Sequence, residues 1–518
     1  MGSFVHQETE QKFDGLLPQP LTPQGLAGVD RVVPGESGVL EARYYDSEDL
    51  ALLNHGVTLR RREGGDDQGW HLKVPGPHGS RTEFQHPLTD GTATPPPELV
   101  RRARVYAKGA ELHPVAHVRT YRTRTLLLDA RGRTLAEVAA DDVAARSLGP
   151  AVEAAAEAAT AGTGEALTEL RNWYETEVEL ADLAPAEGGA DLLDSVAAVF
   201  AAQGVHPSQA PSKLARALGA EPSPALLPSD VSDYGPTVEG LVGALRRHTA
   251  RLMQLDQAVR ADEPDAVHQM RIATRRLRSL LKILGRLTGQ RALTPPADEL
   301  RWLGRLLGAH RDPQTLGERL AAQAEELPAA AHPAATAFLV RSWADEQCAA
   351  ARLELLQVLD SARYFTLVDT LERTAAQPPL GPGRRYGRKA ARRVLRRETR
   401  RVSRRAREAQ QQPYGPDRDR ALHSTRKAAK RARYGAEGLA TALDRAGRRA
   451  KQFKKIQKRL GRHQDAVAAE QVLTELVHAP NASPTAAFSY GLLFARQRHG
   501  ADADVSAALR ASRKAARA

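Results

Sequence analysis

Residues 268–282, HQMRIATRRLRSLLK, return 155 positions later as residues 423–437, HSTRKAAKRARYGAE. In the first copy His268, Arg271, Arg275, Arg278 and Lys282 stand at offsets 0, 3, 7, 10 and 14, one face of an α-helix. His423, Arg426, Lys430 and Arg433 repeat that face, with Glu437 in the place of Lys282. Two positions on, about 200° round the helix, run the apolar stripes Met270, Ala273, Leu277, Leu281, Leu284 and Thr425, Ala428, Ala432, Ala436, Leu439. Downstream, LGAHRD at 307–312 returns as LGRHQD at 460–465, and Arg301 and Arg305 fall on Lys454 and Lys458. A duplicated helical unit accounts for these matches. Helical periodicity begins near Pro236 and breaks at proline clusters, so residues 236–518 are expected to form an all-α bundle of two repeats, 236–375 and 385–515.

The first third of the chain has a different period. Residues 1–180 carry short alternating runs between turn signals such as Gly64-Gly65-Asp66 and Arg131-Gly132-Arg133. Strands are expected at 7–13, 58–62, 71–74, 118–128 and 175–180, and a helix at 151–160. A connector, 183–235, with short helices at 192–202 and 212–218, separates this domain, 1–182, from the bundle. The expected fold is therefore multidomain α+β, and 518 residues exclude one compact domain.

Charge divides along the same boundary. The whole chain carries +13, but residues 1–180 hold 19 basic and 27 acidic side chains, whereas residues 381–470 hold 29 and 8. Cys348, the single cysteine, excludes an internal disulfide and a Cys-rich metal site. No run of eighteen apolar residues or export signal is present, which points to a cytoplasmic protein without a membrane partner.

Cations at i, i+3 and i+4 repel one another. One such stripe is usually a solvated face, but two related stripes and the 384–407 arginine run suit a polyanion held between them. His268 and His423 lead the stripes and suit hydrogen bonding to phosphate better than metal ligation, while His310 and His463 are expected to be structural, beside turns at Asp312 and Asp465. Nucleic acid is disfavoured, because residues 381–470 offer Tyr386, Tyr414, Tyr434 and Phe453 alone for base stacking. In the N-terminal domain Glu8, Glu10 and Lys12 share strand parity, as do Arg60 with Arg62, His71 with Lys73, Arg122 with Arg124, and Glu175, Glu177 and Glu179. Together they suggest a sheet closed into a barrel whose charged interior holds a hard divalent cation and phosphate groups.

These residues resemble two families. ETEQKF at 8–13, with YYDSEDL at 44–50, GVTLRRR at 56–62, GWHLKVP at 69–75 and EVEL at 177–180, is similar to the CYTH family of triphosphate tunnel metalloenzymes. The duplicated half resembles the CHAD domain, with His268, Arg271, Arg275, Arg276, His423, Arg426, Lys427, Lys430 and Arg431 on its motif. The resemblance implies an eight-stranded antiparallel tunnel that hydrolyses inorganic triphosphate with Mg²⁺ or Mn²⁺. It implies Glu8, Glu10, Glu137, Asp141, Glu177 and Glu179 as metal ligands, with Glu83 a further acid, and Lys12, Arg60, Arg62, Lys73, Arg122 and Arg124 as phosphate ligands. Glu8, Glu10 and Lys12 would be the catalytic group. The helical half would bind inorganic polyphosphate through the residues of the two stripes, including Arg278, Lys282 and Arg433, and could associate with polyphosphate granules. A non-catalytic polyphosphate adaptor, an adenylate cyclase and a thiamine triphosphatase remain open, as does the oligomeric state.

Overall fold

Thr9 divides the first extended segment into β1 (Phe4–Glu8) and β2 (Glu10–Asp14). In the computed structural model β1 pairs with β7 (Arg81–His86) and β2 with β10 (Leu170–Leu180). Those two strands lie at opposite ends of one antiparallel run: β7, β6 (Gly69–Pro75), β5 (Thr58–Glu63), β4 (Gly38–Asp46), β8 (His113–Leu128), β9 (Thr134–Ser147), β10. A single chain segment thus joins both ends, and the sheet closes into a barrel. With β1 and β2 taken as one stave the ring has the expected eight; β3 (Arg31–Pro34) adds to β8 and β11 (His206–Pro207) to β2. The structure describes residues 4–76, 80–88, 93–148, 170–181, 188–220, 223, 226–381, 385–440, 443–480 and 482–517, and the expected helix at 151–160 lies outside them.

The chain forms two compact units, Met1–Pro224 and Ala225–Ala518. In the first, α1 (Ala51–Asn54) and α2 (Pro97–Ala107) follow β4 and β7. The connector region contributes α3 (Gly189–Ala202) and α4 (Lys213–Leu218), and both are built into the barrel. Outward-facing Phe13, Leu127, Val138 and Val178 bury Val196 and Phe200 of α3. At one end of the barrel the inward-facing residues turn apolar, and Val118, Val143, Ala145 and Trp173 pack against Leu214 and Ala217 of α4. Sheet alternation therefore gives one hydrophobic outer face and an interior that is apolar at one end and charged along its length.

The second unit is helical: α5 (Pro236–Arg260), α6 (Ala266–Thr288), α7 (Thr294–Glu325), α8 (Pro333–Leu359), α9 (Ala362–Ala376), α10 (Arg388–Gln411), α11 (Pro416–Gly438), α12 (Ala446–Val477) and α13 (Pro484–Arg517). Helices α6 and α11 carry the repeated stripes, and α7 and α12, each 32 residues, carry the repeated LGxHxD segments. All ten residues of the two apolar stripes are buried. Asp312 and Asp465 lie inside α7 and α12 rather than at turns, a correction to the expected setting of His310 and His463; α7 runs on through Pro313. Leu320, Val340, Leu473 and Leu493, two from each repeat, share one core. No helix among the described residues is long and apolar enough to cross a membrane.

Glycine explains how the two stripe helices come together. A Cβ on Gly435 would stand 2.3 Å from Ile283 Cδ1, and one on Gly438 would stand 2.8 Å from Leu280 Cδ2. These positions let α11 approach α6 closely. The end of Ile283 can rotate away from a single methyl, but not from a branched chain. Gly435→Leu is therefore expected to lower stability by about 1–3 kcal/mol, read as a fall in thermal midpoint, with Gly435→Ala close to wild type.

Candidate functional site

Strand register assembles the barrel's interior. Glu179 of β10 lies opposite Glu10 on one side and Glu137 on the other, Glu177 opposite Lys12, and Glu175 opposite Asp141, which in turn faces Arg122. On the other wall Lys73 lies opposite Glu83 and Arg60 opposite Tyr44. The resulting tunnel encloses about 410 Å³, and its lining includes Glu8, Glu10, Lys12, Arg60, Arg62, Lys73, Glu83, Arg122, Arg124, Glu137, Glu177 and Glu179. Every expected N-terminal site residue except Asp141 is in that lining. Asp141 lies just behind it, fully buried, and takes a two-pronged bond from Arg122 at 2.8 and 2.7 Å. His71 is also behind the wall, its Nδ1 2.6 Å from Glu83, and so positions that carboxylate.

The acids fall into two groups with different electrostatics. Around Glu8 the carboxylates outnumber their partners. Lys73 donates to one oxygen of Glu8 at 2.7 Å, while Oε2 is buried without a hydrogen-bond partner. Burial, with Glu83 alongside, pushes the Glu8 carboxyl up to about 8. Burial and the nearby charges of Glu10, Glu177 and Glu83 likewise raise Glu179, despite Lys73. An oxygen-only set carrying excess negative charge suits a hard divalent cation.

The second group, Asp141, Glu175 and Glu177, offers oxygens within 4.8 Å of one another, a spacing that could hold a divalent ion. Lys213 of α4 reaches into it, its Nζ 3.0, 2.5 and 2.8 Å from the three carboxylates. Glu177 is also met by Lys12 at 2.5 Å and Arg122 at 2.7 Å. Burial would raise Glu177, but these cations hold it well below the usual carboxylate range. Removing the ammonium would leave three carboxylates, Asp141 and Glu175 of them buried, short of a cation. Lys213→Met is expected to cost about 3–5 kcal/mol, measured by denaturant unfolding of the full chain.

In the helical unit α6 and α11 face a shared cavity of about 590 Å³. Its lining includes Arg271, Arg275, Arg278 and Lys282 from the first stripe and His423, Arg426, Lys427, Lys430 and Arg431 from the second. Three expected residues lie outside it. His268 is half-buried beside Asp265 and Arg311; Arg276 lines a neighbouring pocket against Tyr434; Arg433 is tied to Glu437 at 2.7 Å. The repeated LGxHxD segments hold the leading arginines: Arg271 pairs with Asp312 and packs on Gly308, and Arg426 packs on Gly461 with Asp465 nearby. Burial, with Arg275, Arg426 and Arg271 around it, pushes Lys430 down to about 6.

Several members were not singled out from sequence. Lys213 is hidden in a six-residue helix, KLARAL, its one signal being a lysine on the side buried with Leu214 and Ala217. Glu175 shared the parity of Glu177 but was not assigned. In the helical cavity Arg301, Arg305, Arg401 and Arg405 join the stripes; the first two are matched positions of the repeat and the last two belong to the 384–407 arginine run.

A CYTH domain model matches residues 32–194 and a CHAD domain model residues 243–474. An uncharacterized protein of Mycobacterium tuberculosis strain H37Rv is 35% identical over 520 residues, spanning 99% of this chain and 97% of its own length. Among solved structures, the CHAD domain of Ricinus communis is similar at 29% identity and TM-score 0.43, covering 55% of this chain and 94% of its own. A Hippeastrum protein described as an adenylyl cyclase candidate with a dominant triphosphatase activity is similar at 19% identity and TM-score 0.24, covering 42% and 98%. With both domain models in this order and a relative matched end to end, the chain belongs to the family of fusion proteins in which a CYTH domain precedes a CHAD domain.

Proposed function

We propose that the barrel hydrolyses inorganic triphosphate or short phosphate chains with Mg²⁺ or Mn²⁺, and that the helical unit binds inorganic polyphosphate. The contrast between the two cavities carries this reading. The tunnel lining includes eight acids and eight Lys or Arg, so it suits a metal–phosphate complex. The helical cavity's lining includes twelve Lys or Arg and, among the described residues, no carboxylate, so it suits a bare polyanion.

Glu8, Glu10 and Glu179 would hold the metal, which supplies charge neutralisation on the phosphoryl oxygens and a polarised water. Asp141, Glu175 and Glu177 already have Lys213 among them and would set the field behind the substrate. Arg60, Arg62, Lys73, Arg122 and Arg124 would clamp the phosphate chain, the arginines by their planar forks. Burial among Arg60 and Arg122 pushes the Arg62 guanidinium down, the state of a cation that gains from an incoming anion. Phosphate release from pyrophosphate, triphosphate, long polyphosphate, ATP and thiamine triphosphate tests the proposal, with triphosphate or short chains expected to be turned over fastest. Tight binding without turnover of any of them would leave the adaptor as the function.

A further inference from the structure

Helix α10 carries eleven Lys and Arg against Glu398 and Glu408. Its counterpart α5, the helix before the stripe in the first repeat, carries four. Two of those four serve the fold: Arg246 caps the carbonyls of Ser229, Ala375 and Ala376, and Arg260 bridges Asp256 and Asp360. On α10 a row at four-residue spacing, Lys389, Arg393, Arg397, Arg401 and Arg405, does something else. Its first three members line a pocket of about 290 Å³ and its last two line the cavity between the stripes. Arg405 pairs with Glu408, but among the described residues no acid pairs with Lys389, Arg393 or Arg397. The row spans about 24 Å of helix, and each adjacent pair of like charges destabilises it.

Resting on the polyphosphate reading of the cavity, we infer that Lys389, Arg393 and Arg397 form an outer subsite that carries a long phosphate chain out of the cavity along α10, making the unit selective for chain length. A chain confined to the cavity meets the stripes and Arg401 and Arg405. A longer one continues along the same row into the second pocket, where Arg286 is engaged with Glu398 at 3.0 Å. The ligand is a phosphate chain rather than a nucleic acid because α10 contains no aromatic residue on which a base could stack, and Tyr386, which borders the second pocket, is itself buried.

The test uses the full chain with EDTA present, so that the intact tunnel contributes equally to every variant and does not consume the ligand. Affinities for a short and a long linear polyphosphate are compared for wild type, Lys389→Gln/Arg393→Gln/Arg397→Gln, and Arg271→Ala/Arg275→Ala/Arg426→Ala/Lys430→Ala. The triple variant is expected to bind the short chain as wild type does. For the long chain it should lose about tenfold or more, and its salt slope should fall by roughly 2, about 0.7 per lost contact. If the triple variant binds both lengths as wild type does while the quadruple variant binds neither, the outer subsite is wrong and the cavity reading stands. If the quadruple variant binds like wild type, the cavity reading itself falls. Equal loss of both lengths in the triple variant, or equal wild-type affinity for single-stranded DNA that the triple variant loses, would also overturn length selection by a phosphate-specific row.

Discussion

Replacing Glu8 and Glu10 together with glutamine is expected to lower phosphate release from tripolyphosphate about 10²–10³-fold, ~2.7–4 kcal/mol of transition-state stabilisation. Glutamine keeps the volume and removes the two carboxylates that a bound divalent cation would hold ionised. Lys73, now bonded to Glu8 at 2.7 Å, would keep a neutral oxygen as partner, so the wall should stay in place. The thermal midpoint and long-chain polyphosphate binding serve as controls, because neither the α3 core nor the helical cavity includes these residues. Equal turnover in wild type and variant would sink the assignment. Residual turnover abolished by a further Glu177→Gln would move the metal to Asp141, Glu175 and Glu177, with Lys213 displaced.

Why the tunnel could be read from sequence so fully is a matter of strand geometry. Alternation puts Glu8 and Glu10, or Arg122 and Arg124, on one face whatever the tertiary context, so residue parity already separates lining from wall. What parity cannot give is depth along the barrel. Asp141 has the correct face but sits at the level of Arg122 and Lys213, behind the surface that solvent reaches. Lys213 escaped because its position depends on where a short helix docks, a long-range packing event with no local period. How the sheet closes is hidden for the same reason: the single strand expected at 7–13 is divided at Thr9, one part pairing with β7 and the other with β10.

In the bundle the 3.6-residue period identified the stripes and their buried faces, and the repeat implied that the stripes are related. Arg276 and Arg433 show the limit of that argument. Both are basic and lie within the repeated segments, yet each turns toward Tyr434 from α6 or α11, with guanidinium carbons 6.0 and 5.3 Å from its ring. Period assigns a residue to a face, but the neighbour opposite that face decides whether it opens into the cavity.

Arg271→Ala/Arg275→Ala/Arg426→Ala/Lys430→Ala is expected to weaken polyphosphate binding by at least about 10³-fold, given ~1.5–3 kcal/mol for each charge-assisted bond, and to lower the salt slope by roughly 3. Lys430 adds a sign that simple loss of charge does not. Its ammonium is pushed down to about 6 by burial and by Arg275, Arg426 and Arg271, so in the empty cavity it is largely neutral at pH 7. A bound polyanion stabilises the protonated form and raises that value. Below about pH 6 the site is already charged and affinity is flat; above it each binding event takes up a proton, and affinity falls as pH rises, by up to about tenfold per unit. The unfolded chain holds this proton to higher pH than the folded one, so the lysine costs stability at pH 7, and Lys430→Met should raise the midpoint of the empty protein while weakening binding. Calorimetry in two buffers of different ionisation enthalpy should count close to one proton taken up at pH 8 in wild type and none in Lys430→Arg. Proton uptake of zero in wild type, with affinity constant from pH 6 to 9, would mean that Lys430 does not meet the ligand.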